Sequence, residues 1–269
     1  MNAENYYPNS YLYKNTTSLL PAHVKSTIGH PFIVLPEIDS TNRYAKTQVQ
    51  SKLAEHGTAY FALNQQEGKG RQDKKWTSEA GKNILLSVVI NTSNQKSDSL
   101  QELNQWVAVA CYDFFSKYAG QETRIKWPND LYWSDRKAGG ILIENSWRGD
   151  SWQWAIIGIG ININQEHFDS GAGKPISLRQ ITGETYEPIA LAKELCYFLS
   201  FRYRQWEDAQ QIAILSAYNQ HLYKKNEWVR MNIQGREVSA MPMQVTEQGE
   251  LLIQTTEGEK QFISQAVWL

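Results

Sequence analysis

A dense apolar run at residues 83–90, NILLSVVI, places the strongest constraint on the fold. The run is far too short to cross a bilayer, which takes about 20 residues as a helix. Its content of Ile, Leu and Val is typical of a β-strand. A second run at residues 152–163, WQWAIIGIGINI, also has the composition of a strand. We therefore predict buried strands at both places.

Helical periodicity surrounds these strands. A first helix is expected to be capped by Asp39 or Ser40 and to end at Gly57, with apolar residues at every fourth position: Ala45, Val49 and Leu53. A long helix is expected over 99–118, and helical periodicity returns over 187–222. The pattern predicts an α+β fold.

The chain is expected to divide into three parts. Residues 1–30 are polar and weakly patterned, and we interpret them as a lead-in. Residues 31–222 carry the strands and helices of the main domain. Residues 223–269 contain short alternating segments separated by turns such as Gln234-Gly235, which predicts a small C-terminal β-barrel.

Composition excludes several classes of protein. The chain has 269 residues, 41% of them hydrophobic, and a formal net charge of −1, so no overall field attracts nucleic acid or an anionic membrane. Cys111 and Cys196 give no disulfide framework, and the histidines show no spacing of paired metal ligands. The N-terminus shows no secretory signal. We expect a cytoplasmic protein that does not bind a membrane or DNA.

Residues 67–76, EGKGRQDKKW, combine two glycines with four cations. Glycines let a loop turn its N–H groups towards an anion, and Arg and Lys add charge-assisted hydrogen bonds. The spacing is wrong for a nucleotide P-loop, and no Ser or Thr follows the lysine. Taken alone, the stretch favours a solvated basic turn over an anion-binding loop.

Two further stretches have both an ordinary and a functional interpretation. Residues 157–162, IGIGIN, lack the third glycine of a dinucleotide motif, and we interpret them as a buried strand whose glycines permit close approach. Residues 39–42, DSTN, are a helix cap by default, but their short polar side chains also suit a polar ligand.

Residues 124–145, RIKWPNDLYWSDRKAGGILIEN, surround an expected turn at Asn129-Asp130 with aromatic residues. Lys137 precedes two glycines at the start of an apolar strand, where a lysine can point into a pocket. The alternative is a hairpin with an exposed lysine. The sequence contains no nucleophile elbow and no Ser-His-Asp order.

The ordered series DSTN, QQEGKGRQDKKW, KWPNDLYWSDRKAGGILIE and IGIGIN resembles the biotin protein ligase family over residues 32–165. The resemblance implies a mixed β-sheet flanked by helices, like that of class II aminoacyl-tRNA synthetases, with a small C-terminal β-barrel. It implies an enzyme that forms biotinyl-5′-AMP from biotin and ATP with Mg²⁺. The biotinyl group then passes to one lysine of a biotin carboxyl carrier domain.

The resemblance also assigns residues by position. Those implied to bind biotin are Ser40, Thr41, Asn42, Gln65, Lys69, Gly70, Arg71, Lys137 and Gly140. Those implied to bind ATP or the adenylate are Arg71, Lys75, Trp76, Asn129 and Asn162. Catalytic roles fall to Lys137 and Arg71, which face developing phosphate charge, and to Asp130, which is expected to orient or deprotonate the acceptor lysine. No protein side chain is assigned to a metal.

Two departures from the family pattern stand out. The loop has Lys69 where the family commonly has arginine, and Asp73 where it commonly has glycine. Lysine keeps the charge but loses the planar fork of arginine, so weaker retention of the adenylate is expected. Only about 30 residues precede the first expected strand, which favours a monofunctional ligase without a DNA-binding domain.

Three alternatives remain open beside this interpretation. One is a lipoate–protein ligase-like acyl-adenylating enzyme, another is a non-catalytic biotin- or nucleotide-binding module, and the third is a DNA-binding regulator. Retention of Lys137 and Arg71 favours an enzyme over a binding module. A homodimer is also compatible with the family resemblance.

Overall fold

The computed structural model describes residues 27–71, 74–95, 99–169 and 174–269. Most of the expected lead-in over residues 1–30 therefore lies outside the described residues, as does Asp73. The division of the chain at residues 30 and 222 stays a prediction.

Seven strands form the first sheet. They are β1 (Phe32–Ile38), β2 (Ala59–Gln65), β3 (Ile84–Asn91), β4 (Thr123–Lys126), β5 (Asp130–Trp133), β6 (Arg136–Arg148) and β7 (Ser151–Ile161). Their order across the sheet is β1-β2-β3-β7-β6-β5-β4. The β1–β2 pair is parallel and the other neighbouring pairs are antiparallel. The prediction of strands at 83–90 and 152–163 is confirmed, and so is the mixed sheet.

Helices cover both faces of this sheet. They are α1 (Thr41–Gln50), α2 (Leu100–Ala119), α3 (Leu178–Thr182), α4 (Pro188–Glu207) and α5 (Gln211–Gln220), with a 3-10 turn at Gly120–Glu122. The α1 helix connects the parallel strands β1 and β2, a connection that antiparallel neighbours do not need. The predicted helix over 99–118 and the predicted helical region 187–222 are confirmed.

Alternating side chains divide the core between the two faces of the sheet. On β2, Ala59 and Phe61 belong to a large hydrophobic cluster, whereas Tyr60 between them belongs to a smaller one. The smaller cluster includes Ala45 of α1. The larger cluster includes Trp106 of α2, which is fully buried, together with residues of α4 and α5. The sheet is thus sealed by α1 on one face and by the longer helices on the other.

The first helix ends earlier than its sequence pattern predicted. It stops at Gln50, Lys52 adopts a left-handed φ of 59°, and Leu53 is 70% exposed. The expected apolar stripe therefore does not extend to Leu53, because the left-handed residue turns the chain out of the helix. Gly57 instead serves the entry into β2, where its N–H donates to the Val89 carbonyl at 2.7 Å.

The turn expected at Asn129-Asp130 lies slightly earlier. Residues 127–129 form the turn, and Asp130 already begins β5. The antiparallel pairing of β5 with both β4 and β6 aligns Asp130 with Gly140. This pairing places Asp130 beside the strand that carries Lys137.

The C-terminal region forms an open sheet. Its strands are β8 (Val229–Ile233), β9 (Arg236–Val245), β10 (Leu251–Thr255), β11 (Lys260–Ile263) and β12 (Val267–Trp268). They pair antiparallel in the order β11-β10-β9-β8-β12. The expectation of a closed barrel is wrong, because β11 and β12 form the two edges and do not pair. The predicted Gln234-Gly235 turn is present, with φ of 51° and 84°, as a tight two-residue hairpin requires.

The second sheet packs against the elements that frame the first. The indole N–H of Trp127 donates to the Gly249 carbonyl at 2.9 Å, and the Gln105 amide donates to the Thr246 carbonyl at 3.0 Å. Buried residues of the second sheet, such as Met231, are continuous with the larger core. The sheet is therefore held against α2 and against the turn after β4.

A half-buried histidine makes the packing of α5 against α2 sensitive to acid. His221 follows α5 and stacks on Tyr112 of α2, with ring centroids 3.8 Å apart. Burial is the main cause that lowers the pKa of His221 to about 4, and Arg124 and Arg202 lower it further. The unfolded state, with a pKa near 6.5, binds the proton more readily. Stability from this group is therefore fully present above about pH 6.5 and is lost as the pH falls towards about 4.

We expect His221→Phe, which keeps an aromatic ring against Tyr112, to be less sensitive to acid than the wild type. Thermal unfolding at about pH 7.5 and about pH 5 should show a smaller decrease in Tm for this variant. The exposed His167 provides a control, and His167→Phe should behave like the wild type. Equal losses in Tm for His221→Phe and the wild type would contradict the prediction.

Candidate active site

One cleft of about 850 Å³ opens above the centre of the first sheet. Its walls come from the start of α1, the segment after β2, the turn between β4 and β5, and the strands β6 and β7. Residues 264–268, which comprise β12 and the segment before it, complete the lining. Both sheets therefore contribute to the cleft.

The residues assigned by sequence to biotin, nucleotide or catalysis all line this cleft. They are Ser40, Thr41, Asn42, Gln65, Lys69, Gly70, Arg71, Lys75, Trp76, Asn129, Asp130, Lys137, Gly140 and Asn162. They lie between residues 40 and 162, on several strands and on the segments that connect them, so their convergence is a property of the fold. The role of each one stays a prediction.

The cationic stretch forms a short hairpin beside the cleft. The N–H of Gly70 donates to the Lys74 carbonyl at 2.6 Å, and the N–H of Trp76 donates to the Gly68 carbonyl at 2.8 Å. A Cβ at residue 68 would lie 2.3 Å from the Trp76 carbonyl oxygen, so this position requires glycine. This backbone pairing gives the basic stretch a defined conformation, in which it forms one wall of the cleft.

Arg71 connects this hairpin to the opposite wall. Its Nη1 donates to Asn129 Oδ1 at 3.1 Å, across the mouth of the cleft. Arg71 is exposed and Asn129 is half-buried, so solvent weakens the bond and a ligand anion can replace Asn129 as the acceptor.

Lys137 and Asp130 form an ion pair at the centre of the cleft. Lys137 Nζ donates to Asp130 Oδ1 at 2.7 Å, and both side chains are about one-third exposed. The backbone of Lys137 is fixed by two bonds, from its N–H to the Lys174 carbonyl and from the Ile176 N–H to its own carbonyl. A backbone fixed on both sides aims the ammonium reproducibly, while partial exposure leaves it accessible to an anion.

A second lysine in the cleft was not singled out from the sequence. Lys126 Nζ lies 4.4 Å from the ring centroid of Tyr132, 5.5 Å from that of Tyr223 and 5.4 Å from that of Trp268. Burial is the main cause that lowers the pKa of Lys126; nearby Asp130 raises it, and Lys137 lowers it. The position of Lys126 in the KWPND stretch could have identified it from the sequence. No sequence motif surrounds Trp268, so its place in the cleft could not be predicted.

The cleft concentrates positive charge in a chain that is nearly neutral overall. Its cationic lining residues are Lys69, Arg71, Lys74, Lys75, Lys126 and Lys137, and its carboxylates are Asp130 and Asp169. Asp130 is already paired with a lysine. A cleft with this excess attracts a polyanion, which the net charge of −1 would not suggest.

The inner end of the cleft, formed by Ser40, Thr41, Asn42 and Gln65, is polar and largely buried. Ser40, Thr41 and Asn42 are 3–4% exposed. Gln65 Oε1 accepts the backbone N–H of Thr41 at 2.9 Å. Buried polar groups of this kind favour a ligand that completes their hydrogen bonds.

The default interpretation of DSTN as a helix cap is wrong for its side chains. Ser40 occupies the N-cap position of α1, but its side chain makes no capping hydrogen bond. The carboxylate of Asp39 pairs instead with Arg43 at 3.1 Å on the surface. Ser40 is therefore available to the cleft.

Two glycines of β7 admit side chains that line the cleft, which is the close approach that the IGIGIN stretch predicted. A Cβ on Gly158 would lie 2.5 Å from Asn42 Oδ1, and a Cβ on Gly160 would lie 2.6 Å from the Trp76 indole. The indole N–H of Trp76 is buried and has no hydrogen-bond partner among the described residues. It is therefore a free donor within the cleft.

Asn162 serves the framework as well as the cleft. It is 4% exposed, and its Nδ2 donates to the Ile176 carbonyl at 3.1 Å and, more weakly, to the Lys137 carbonyl at 3.4 Å. These bonds tie the end of β7 to the backbone beside Lys137. Part of what Asn162 does is thus to position Lys137.

The comparisons with known proteins agree with this geometry. Residues 34–162 match the sequence profile of the Biotin/lipoate A/B protein ligase family. The chain is 30% identical over 229 residues to the bifunctional ligase/repressor BirA of Escherichia coli, covering 84% of this chain and 70% of that protein. The chain belongs to the biotin–protein ligase family. It is also 31% identical over 183 residues to the biotin–acetyl-CoA-carboxylase ligase of Paracoccus denitrificans, covering 65% of this chain and 72% of that protein.

Solved structures show the same fold. The biotin protein ligase from Aquifex aeolicus in complex with biotin and ATP superposes with a TM-score of 0.74 at 24% identity, covering 88% of this chain and 97% of that one. The biotin protein ligase from Leishmania major in complex with biotinyl-5-AMP gives a TM-score of 0.60 at 21% identity, covering 87% of this chain and 98% of that one. At these identities the likeness concerns the fold.

The described residues contain neither a candidate membrane span nor a candidate metal cluster. Across residues 27–71, 74–95, 99–169 and 174–269, no helix has the length and apolarity needed to cross a membrane. The same part of the chain holds no group of three or more His, Cys, Asp or Glu side chains placed to bind a metal ion.

We expect Gly158→Ala to lower the free energy of unfolding by about 1–3 kcal/mol, because the added methyl group overlaps buried Asn42. Chemical denaturation measures the change. Gly140→Ala is the matched control, since its Cβ would meet only flexible side-chain ends at 3.3 Å or more. Equal stabilities of the two variants would contradict the steric role of Gly158.

Proposed function

We propose that this chain is a biotin–protein ligase that forms biotinyl-5′-AMP from biotin and ATP and transfers the biotinyl group to a lysine of a biotin carboxyl carrier domain. The observation that carries the proposal is a single cleft that joins a buried polar end to a ring of cations centred on Lys137. Family membership supports the same reaction. We also propose that the protein acts in the cytoplasm.

The inner end suits the cyclic urea of biotin. A urea offers two N–H donors and one carbonyl acceptor, and Ser40, Thr41 and Gln65 supply hydroxyl and amide partners. Leu85, Leu142 and other apolar residues that line the same cleft suit the ring and the valeryl chain. A polar site of this kind rejects ligands that leave its buried groups unpaired.

The first step joins the biotin carboxylate to the α-phosphate of ATP. A carboxylate oxygen attacks phosphorus, the bond to the bridging oxygen breaks, and pyrophosphate leaves with its electron pair. Negative charge builds on the phosphate oxygens, and a fixed ammonium at Lys137 stabilises it. Arg71 can exchange Asn129 for a phosphate or carboxylate oxygen during this step.

The nucleotide would occupy the outer part of the cleft. Lys74 and Lys75 line that part, and the free indole N–H of Trp76 offers a donor beside an aromatic face. We propose that Mg²⁺ enters on the triphosphate, where it offsets charge on the leaving group. The lining carboxylates are few, and Asp130 is occupied by Lys137.

The second step uses the same ion pair in another way. The acceptor lysine attacks the acyl carbon, AMP leaves, and the attacking nitrogen loses a proton. Once the adenylate phosphate engages Lys137, the Asp130 carboxylate is released from its partner. It can then orient the acceptor amine and accept the proton that the nitrogen loses on attack.

Purified protein mixed with biotin, MgATP and an apo carrier domain should add one biotinyl group to the carrier. Intact-mass spectrometry measures this addition. Lipoate should not replace biotin, since its disulfide ring lacks the N–H and carbonyl groups that the inner end would pair with. Transfer of lipoate would favour the lipoate-ligase alternative, and biotin binding without transfer would favour a binding module.

Lys137→Ala should lower the rate of adenylate formation by about 10²-fold or more, because it removes a fixed charge that faces the phosphate. Biotin affinity should fall much less. Pyrophosphate release measures the first quantity, and calorimetry measures the second. Normal turnover by this variant would show that Lys137 has no catalytic role.

Lys126→Met should raise the KM for ATP by about tenfold, with a smaller effect on the KM for biotin, because one partly buried cation is lost from the outer cleft. Steady-state pyrophosphate release at varied ATP measures the effect. Lys260→Met, at an exposed position of β11, is the control and should leave both constants unchanged. An unchanged KM for ATP in Lys126→Met would contradict the role of this lysine.

A further inference from the structure

A chain of buried hydrogen bonds runs behind the inner end of the cleft. Thr41 and Asn42 line the cleft, whereas Ser87 and Glu144 stand behind them and do not. Ser87 is fully buried on β3, and Glu144 is half-buried on β6. The chain links a carboxylate outside the cleft to a hydroxyl inside it.

The amide of Asn42 has only one workable orientation. One nitrogen, Nδ2, lies 2.8 Å from Glu144 Oε2 and 3.2 Å from the Leu142 carbonyl oxygen. Both partners are acceptors, so the NH₂ group must face them. The Asn42 oxygen Oδ1 must therefore face the other way, towards Ser87.

The hydroxyl of Ser87 then has only one direction. Ser87 Oγ lies 2.6 Å from Asn42 Oδ1, which can only accept, so the single Ser87 hydrogen is donated there. Ser87 Oγ also lies 2.7 Å from Thr41 Oγ1. With the Ser87 hydrogen already used, this second bond requires Thr41 as the donor.

The hydroxyl of Thr41 is thereby left as an acceptor towards the cleft. Its one hydrogen is used at the short contact with Ser87, so it is not available to Gln65 Oε1 at 3.2 Å. Gln65 Oε1 is satisfied instead by the backbone N–H of Thr41 at 2.9 Å. What Thr41 Oγ1 offers a ligand is a lone pair.

We propose that Glu144, Asn42 and Ser87 form a positioning relay that fixes the Thr41 hydroxyl as an acceptor and so selects a ligand whose buried end donates an N–H. The inference deepens the proposed function and rests on it, with the cyclic urea of biotin as the donor. The family resemblance assigned Asn42 to biotin binding. Because both contacts of its NH₂ group are made within the protein, we infer that it is a positioning residue.

The relay makes the site discriminate between two ligands of nearly equal shape. A ring N–H that faces Thr41 completes a hydrogen bond, whereas a ring oxygen at the same place sets lone pair against lone pair. Without the relay, the Thr41 hydroxyl can rotate and donate to that oxygen. Selectivity between donor and acceptor is therefore the property that the relay controls.

The test uses biotin and its two cyclic carbamate analogues, in each of which one ring N–H is replaced by oxygen. Calorimetry on the full chain gives the ratio of analogue to biotin dissociation constants. For the analogue whose oxygen meets Thr41, the wild type should give a ratio of about tenfold or more. Ser87→Ala should reduce that ratio at least about fivefold, because the Thr41 hydrogen is released.

Variants of Glu144 test the far end of the relay. Glu144→Ala should lower the ratio to a value between those of the wild type and Ser87→Ala, because the Leu142 carbonyl still holds Asn42. Glu144→Gln keeps an acceptor oxygen and should retain the wild-type ratio. Glu37 also accepts from two side-chain amides, but on the surface, and Glu37→Ala should change nothing.

The outcomes separate this inference from the proposed function. General loss of stability weakens both ligands alike and leaves the ratio unchanged, so an unchanged ratio in Ser87→Ala and Glu144→Ala overturns the relay alone. If Ser87→Ala does not fold, as judged by circular dichroism, Glu144→Ala decides. A wild type that does not bind biotin overturns the proposed function and the relay with it.

Discussion

The cleft depends on a strip of bare backbone at the centre of the first sheet. Gly158 and Gly160 lie on the same face of β7, because side chains two residues apart on a strand share a face. Asn42 occupies the space above the first glycine and Trp76 the space above the second. Positions two apart on a strand are about 7 Å apart, so one strand fixes the spacing between the polar end of the cleft and its aromatic, cationic end.

The long-range pairing of the first sheet then decides which charges meet. Lys137 and Asp130 stand on neighbouring strands, and the β5–β6 register brings them to 2.7 Å. The second sheet adds Trp268 to the ring of aromatic side chains round Lys126. Aromatic faces stabilise a cation that is partly withdrawn from water. Both sheets are thus needed to gather this much positive charge in one place.

The sequence was most informative where local pattern and function coincide. Composition and hydrophobic periodicity predict the strands and the long helices, and the glycines of IGIGIN predict a close approach to β7. The ordered motifs identify the residues of the cleft. The early end of α1 depends on a left-handed residue at Lys52, which no motif marks. The contacts of Lys126 with Tyr223 and Trp268 and the bond from Asn42 to Glu144 join residues about 100 or more positions apart, and only the fold brings such residues together.

The hairpin beside the cleft also has an electrostatic consequence. Lys69, Arg71, Lys74 and Lys75 all lie in this short stretch, and the Lys69–Lys75 pairing faces cation to cation. Like charges directly opposite each other are destabilising. A bound polyphosphate would offset the repulsion between these cations. Anion binding and the pairing of the hairpin should then stabilise each other by linkage. Added salt should weaken both, because it screens the attraction between the cations and the anion.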